Sequence, residues 1–116
     1  MLRGLTLSCA LVVAAMTGAV ATEPHLGRWS IDPAGCTVEG DTSTTAPMYV
    51  TQTSVKWFVA DCKIGKMYKV GQALHIQARC SNEGKIVSTP ITLEPRGDRL
   101  RVTWNGTRIE GMRRCK

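Results

Sequence analysis

The sequence has few of the residues that catalysis or metal binding requires. It holds two histidines, His25 and His75, so few side chains can act as a base near neutral pH. It has no G-x-S-x-G nucleophile motif, no C-x-x-C motif and no H-E-x-x-H zinc motif. Asp61 and Glu94 make no carboxylate pair. The sequence therefore predicts a protein that is not an enzyme, with no catalytic residues, no metal site and no cofactor.

The chain also lacks a second apolar run that could cross a membrane after its N-terminal segment. That segment has the form of a secretory signal, with Arg3 at its start, an apolar region over residues 5–15 and an A-x-A cleavage site at residues 19–21. Cys9 lies inside the apolar region, too early for a lipoprotein signal. We expect residues 1–21 to be removed and residues 22–116 to form one periplasmic or secreted domain with no transmembrane segment.

No stretch after residue 21 has the spacing of a long amphipathic helix. Instead, short segments that alternate apolar and polar residues are separated by turn residues. About seven or eight such strands in series predict an all-β fold, most simply an up-and-down antiparallel barrel, with a β-sandwich as the alternative. The side chains expected to fill the interior include Trp29, Trp57, Trp104, Leu74 and Ile76.

Two turn regions set the expected strand register in the C-terminal half. Residues 85–94 are predicted to form a strand that Pro90 interrupts with a bulge or an edge, followed by a tight turn at residues 95–98. Asn105-Gly106 is a strong signal for a two-residue hairpin turn. Folding there places Val102 opposite Ile109, and Arg101 opposite Glu110. The strand at residues 85–94 is expected to carry Val87, Thr89, Ile91 and Leu93 on one face.

Residues 61–81 are predicted to form a hairpin centred on Gly71. Folding at this glycine places Cys62 opposite Cys80, and Tyr68 opposite Leu74. Directly opposed Cβ atoms lie about 4.5–5.5 Å apart, which is close to the separation that a disulfide needs. The alternation also places one set of apolar residues on a single face: Leu74, Ile76, Ala78 and Cys80.

The cysteine content predicts two disulfides. Four cysteines follow the signal segment, and four cysteines allow more than one pairing. The hairpin register favours Cys62–Cys80, which leaves Cys36–Cys115. Such bonds require an oxidising compartment, in agreement with export.

The charge is basic. The chain has 15 Lys and Arg against 9 Asp and Glu, a formal net charge of +6, and it stays basic without Arg3. Such a charge either keeps the protein soluble or favours an anionic partner. The residues expected to form an outward anion-binding face are Lys63, Lys69, Arg79, Arg99, Arg101 and Arg108. Nucleic acid is not expected as the partner, because export separates the protein from it and no aromatic residues are interleaved with the basic ones.

The lead Gly27-Arg28-Trp29 resembles the G-x-W start of lipocalin-like barrels. With the export signal and the small size, the chain looks like the small exported barrels of proteobacteria, one branch of which is the serralysin-type metalloprotease inhibitors. Those inhibitors insert an N-terminal trunk into the protease cleft. By position, the resemblance implies that the trunk here would consist of Thr22, Glu23, Pro24, His25 and Leu26.

Together these observations predict an exported binding protein. One version is an inhibitor of a periplasmic protease or another hydrolase. The alternatives are an envelope-associated protein that binds an anionic glycan or lipid through its basic face, and a carrier of a small ligand. The carrier requires a cavity inside the barrel.

Overall fold

The computed structural model describes residue 4 and residues 23–37, 46–58 and 60–116, without the side chain of Glu110. Thr22 and all of the predicted signal segment except Gly4 lie outside these residues. Within them the fold is all-β, and eight antiparallel strands pair in chain order to form a closed barrel. The last strand pairs with the first, through Trp29 opposite Arg114. The predicted barrel is therefore confirmed, and the sandwich is not observed.

The strands become longer from the N-terminal to the central part of the chain. They are β1 (Gly27–Ser30), β2 (Met48–Val50), β3 (Ser54–Trp57), β4 (Ala60–Val70), β5 (Ala73–Asn82), β6 (Lys85–Arg96), β7 (Arg99–Trp104) and β8 (Thr107–Arg114). A short 3-10 helix, Pro33–Thr37, follows β1. Tight two-residue turns join the last five strands.

The β4–β5 hairpin has the predicted register only on the side of the disulfide. There Cys62 faces Cys80, but the register shifts by one residue between Ile64 and Lys66. Tyr68 consequently faces His75, with the two rings stacked 5.0 Å apart, and the predicted pairing of Tyr68 with Leu74 is wrong. The reason is the turn: Val70 faces Ala73 across two residues, whereas a register centred on Gly71 would need a loop with an odd number of residues.

Gly65 is the extra residue that absorbs this difference. A Cβ atom at this position would lie 2.9 Å from the backbone carbonyl oxygen of Gln77, closer than Cβ atoms are found to approach other heavy atoms. Glycine inside a strand commonly marks such a bulge, because only a residue without a side chain permits the close approach.

The β7–β8 hairpin repeats this arrangement. The Asn105-Gly106 turn places Val102 opposite Ile109 as predicted, but the register shifts between Leu100 and Val102. On the other side of β7, Arg101 lies opposite Glu94 of β6, and the two side chains form an ion pair at 3.4 Å. The predicted partner of Arg101, the side chain of Glu110, lies outside the described residues. Gly111, with φ of 77°, follows Glu110 on the bulged part of β8.

Strand β6 is continuous through Pro90, so the predicted bulge is absent. Pro90 pairs with Gln77 of β5 without a change of register, while β7 begins to pair only at Ile91. The proline therefore lies at the end of the paired region on the β7 side, which matches the alternative of an edge. Val87 lies beyond the end of β7 and is 55% exposed, so the face that it shares with Ile91 and Leu93 is not buried along its whole length. The predicted turn is also shorter, since Pro95 and Arg96 belong to β6.

The barrel interior is filled by large side chains. Trp29 is fully buried in the core, and Leu74 and Ile76 are buried as expected. Trp57 and Trp104 are only partly buried, which corrects their predicted place in the interior. Their rings meet edge to face at 5.8 Å, where β3 and β7 end on the same side of the barrel. The remaining fully buried large residues are Met48, Val55, Ile91, Leu93, Leu100, Val102 and Met112.

Both predicted disulfides are present, Cys36–Cys115 and Cys62–Cys80. The first closes a sequence separation of 79 residues and ties the 3-10 helix to the residue after β8. On the chain-entropy account, such a long loop stabilises the fold by about 4.5 kcal/mol and a loop of 18 residues by about 3 kcal/mol. The long bond is therefore the larger constraint on the unfolded chain.

Substitution of Gly65 tests the bulge. We expect Gly65→Ala to lower the free energy of unfolding by roughly 1–3 kcal/mol, because the new methyl group meets the Gln77 carbonyl and the backbone must move. Lys66→Ala is the matched control, since Lys66 is exposed and its truncation is expected to change stability by less than about 0.5 kcal/mol. Urea unfolding of the three proteins measures the difference. Equal midpoints for Gly65→Ala and the wild type would contradict the close approach.

Candidate functional site

One end of the barrel, called here the mouth, lies where the β4–β5 turn and the β6–β7 turn project. The chain enters β1 at the same end. Residues 23–26, called here the lead, therefore lie next to both turns. The opposite end carries Trp57 and Trp104 in contact.

Arg114 fixes the lead to the barrel. Its Nη1 donates to the carbonyl oxygen of Leu26 at 2.7 Å, and its Nη2 donates to that of Pro24 at 2.6 Å. Its guanidinium carbon lies 4.2 Å from the centre of the Trp29 ring, a cation–π contact. A Cβ atom on Gly27 would lie 2.8 Å from Nη1 of Arg114, so glycine leaves the space that the guanidinium occupies.

The G-x-W motif thus has a local explanation. Gly27 provides room for Arg114, and the Nε1–H of Trp29 donates to the carbonyl oxygen of His25 at 3.1 Å. The lead also forms its own turn, in which the amide of Leu26 donates to the carbonyl oxygen of Glu23. The described part of the predicted inhibitory trunk, residues 23–26, is therefore held against the barrel. Thr22 lies outside the described residues.

His25 is the buried member of the lead, with only 4% of its surface exposed. Its Nε2 lies 3.4 Å from Oε2 of Glu23. Burial lowers the pKa of His25 below its usual value of 6.5; Glu23 acts in the opposite direction and Lys69 acts in the same direction as burial. His25 is therefore held in its neutral form at neutral pH.

A cleft of about 770 Å³ opens at the mouth, between the lead and the two turns. Its lining includes the apolar residues Met67, Leu74 and Pro95 and the cations Lys69 and Arg96. The register shift at Gly65 places Lys69 opposite the buried residue Leu74. Glu23 is the carboxylate of the lining, and it is already in contact with His25.

A row of three arginines crosses the sheet beside this cleft. Arg96 lies directly opposite Arg99, which in turn lies directly opposite Arg113. All three side chains are exposed, whereas the adjacent residues Leu100 and Met112 are buried, so the row points outward. We call Arg96, Arg99 and Arg113 the arginine row.

Within the described residues, no ion pair neutralises the positive charge of the arginine row. The ion pairs found there join His25 to Glu23, Lys56 to Asp61 and Arg101 to Glu94, so none includes a member of the row. A depression of about 260 Å³ lies beside two members of the row, lined by Glu94, Arg96, Arg99, Leu100, Arg101 and Gly111. Arg96 lines both this depression and the mouth cleft, which makes one continuous cationic region.

The six basic residues predicted to form one face lie in separate places. Lys63 and Arg79 face each other, and both line a depression that also contains Asp61. Lys69 lies at the mouth. Arg99 and Arg101 lie on β7. Arg108 lies opposite Thr103, near the other end of β8. The structure thus brings Arg99 and Lys69 to the mouth end and leaves the Lys63–Arg79 pair elsewhere.

Sequence reasoning missed Arg96 and Arg113. Arg96 was assigned to a turn, although the turn comprises only Gly97 and Asp98. Arg113 comes opposite Arg99 only because of the shift near Gly111; the unshifted register would place Met112 there. The glycine inside a predicted strand was the signal that could have revealed both the bulge and the row.

Comparison with protein-family models, curated proteins and solved structures gives no significant match. In the described ranges, no helix has the length and apolar content needed to cross a membrane. No group of three or more His, Cys, Asp and Glu side chains in those ranges is arranged to hold a metal ion.

The burial of His25 predicts a pH dependence of stability. Because folding lowers the pKa of His25, the neutral side chain makes its full contribution to the free energy of unfolding above the unfolded pKa of 6.5. This contribution decreases as the pH falls below 6.5 and is lost once the pH is below the folded pKa. We expect the loss of stability between pH 7.5 and about pH 5 to be smaller in His25→Gln than in the wild type. His75→Gln is the matched control and should keep the wild-type loss. Urea midpoints across this range measure the effect, and identical pH profiles for both variants would contradict it.

Proposed function

We infer that this chain is a non-enzymatic, exported binding protein that holds an anionic partner against the mouth end of its barrel. The observation that carries the proposal is the arginine row. Three arginines occupy directly opposed positions on adjacent strands, and no described carboxylate forms an ion pair with them. The two disulfides are compatible with an oxidising compartment.

The row is unfavourable for the isolated fold. Like charges directly opposite one another on a sheet destabilise it, and the neighbouring pair of Glu94 and Arg101 shows the arrangement that the sheet uses to neutralise charge. An anion with several charged groups would relieve the repulsion of all three arginines at once. The fork of the guanidinium also suits carboxylate, sulfate and phosphate groups.

The other predicted functions receive less support from the described residues. Inhibition of a protease through residues 22–26 stays a prediction that requires the lead to leave the barrel, although Arg114 and Trp29 hold it there. A carrier needs internal space, and the described interior is occupied by Trp29 and the other large side chains of the core. The mouth cleft shares only Leu74 with the buried residues of that core, and the arginine row shares none.

Retention on heparin-agarose tests the binding of anions. We expect the triple variant Arg96→Gln/Arg99→Gln/Arg113→Gln to bind heparin at least about ten-fold more weakly than the wild type and to elute at lower salt, because three ion pairs are lost. The matched control Lys63→Gln/Arg79→Gln/Lys85→Gln removes the same charge from other exposed positions and should elute close to the wild type. Equal shifts for both variants would show that only net charge acts, and would contradict a site at the row.

A further inference from the structure

The tip of β4 has a free backbone edge beside the mouth cleft. Strand β3 pairs with β4 only as far as Lys63, and the amide of Ile64 still donates to the carbonyl oxygen of Thr53 at 2.9 Å. Beyond the bulge, residues 66–70 pair with β5 on one side. No strand in the described part of the chain pairs with them on the other side.

The backbone groups on this edge follow from the register. Val70 and Ala73 flank the two-residue turn, so their backbone groups point at each other across the hairpin. Alternation then directs the N–H and C=O groups of Met67 and Lys69 toward the free side. Two residues therefore offer four backbone hydrogen-bonding groups to an additional strand.

The same segment exposes apolar surface. Met67, Tyr68 and Val70 are 42%, 60% and 59% exposed, and Met67 and Tyr68 line the mouth cleft. A strand laid along the edge would cover part of these side chains. Its own side chains would alternate between the outer surface and the cleft.

Charge decides which strand fits. Lys66 and Lys69 lie within this short edge, and Lys69 and Arg96 lie in the cleft beside it. Pairing with the same edge of a second copy would bring four lysines together, which is unfavourable. A strand that carries carboxylates would instead place them near Lys66 on the outer surface and near Lys69 on the side of the cleft, whose lining also includes Arg96.

We propose that the free edge of β4 binds an extended acidic segment of a partner protein by strand addition. The segment pairs with the backbone of Met67 and Lys69, and its carboxylates contact Lys69 and Arg96. The inference rests on the proposed function and specifies the anionic partner as a protein. The cleft volume of about 770 Å³ lies in the range of ordinary binding pockets, roughly 300–1,000 Å³, so it accepts several side chains.

A second free edge supplies an internal control. Residues 85–89 of β6 precede Ile91, the first residue of β6 that pairs with β7. On the side of β6 that faces β7, the carbonyl oxygen of Pro90 accepts a hydrogen bond from the amide of Asn105. Alternation therefore directs the backbone of Ser88 toward this second edge. The two edges differ in that only the β4 edge borders the mouth cleft.

The test uses a fluorescent, blocked peptide of alternating glutamate and valine, titrated into the purified protein and followed by anisotropy. A peptide of the same sequence with alternate backbone nitrogens methylated keeps the charge but loses the donors that strand pairing needs. We expect the methylated peptide to bind at least about five-fold more weakly. Met67→Pro removes one N–H of the edge and should weaken binding of the unmodified peptide by a similar factor. The double variant Lys69→Gln/Arg96→Gln should weaken binding of the same peptide by about ten-fold.

Ser88→Pro removes an N–H from the β6 edge and should leave peptide binding unchanged. Circular dichroism and the thermal midpoint report whether the proline variants remain folded. Amide hydrogen exchange of the wild type gives a second readout, since bound peptide should slow exchange at Met67 and Lys69 and leave Ser88 unaffected.

The outcomes separate this inference from the proposed function. If both peptides bind equally well, or if Met67 and Lys69 gain no protection, strand addition is overturned, while heparin retention through the arginine row can still support anion binding. If the wild type binds neither peptide but retains heparin through the row, the partner is a glycan or lipid headgroup and the inference fails. If neither probe depends on the mouth cations, both proposals fail.

Discussion

The Cys62–Cys80 bond and the two-residue turn at Gly71 and Gln72 require strand registers that differ by one residue. The disulfide needs its two cysteines directly opposite each other, and the turn needs Val70 opposite Ala73. Both conditions hold only because β4 carries one extra residue, Gly65. The bulge decides which residues beyond it face the mouth, so Lys69 comes opposite Leu74. Without this offset the cationic lining of the cleft would be different.

The second hairpin shows that the offset is a general device in this barrel. Gly111 changes the register of β8, and the change brings Arg113 opposite Arg99. In both hairpins the bulge lies near the middle of its strand. Bulges increase local twist and redirect side chains, and they occur often near functional sites. Two independent bulges thus place Lys69 and Arg113 at the same end of the molecule.

Much of the fold follows from local signals in the sequence. The period-two alternation predicted the strands, the turn residues predicted the hairpins, and the symmetry about Gly71 predicted both disulfides. The register near Tyr68 and the exposure of Val87 were not predicted, because each depends on a neighbouring strand rather than on the segment itself. The site was less accessible for the same reason: Arg96 and Arg113 are distant in sequence, and only the strand order with one shifted register places them in a row.

The two halves of the mouth would act on a partner in different ways. The arginine row is exposed and outward, so its attraction acts at a distance, is screened by salt and mainly raises the rate of encounter. The β4 edge acts only at contact, because backbone hydrogen bonds require a chain in one extended conformation. Lysines on an edge ordinarily prevent pairing with another strand, and Lys66 and Lys69 would do this for a second copy of the chain. Under the proposed strand addition, the same two charges would favour a strand that carries carboxylates, so one feature of the sequence would both oppose self-association and select an acidic partner.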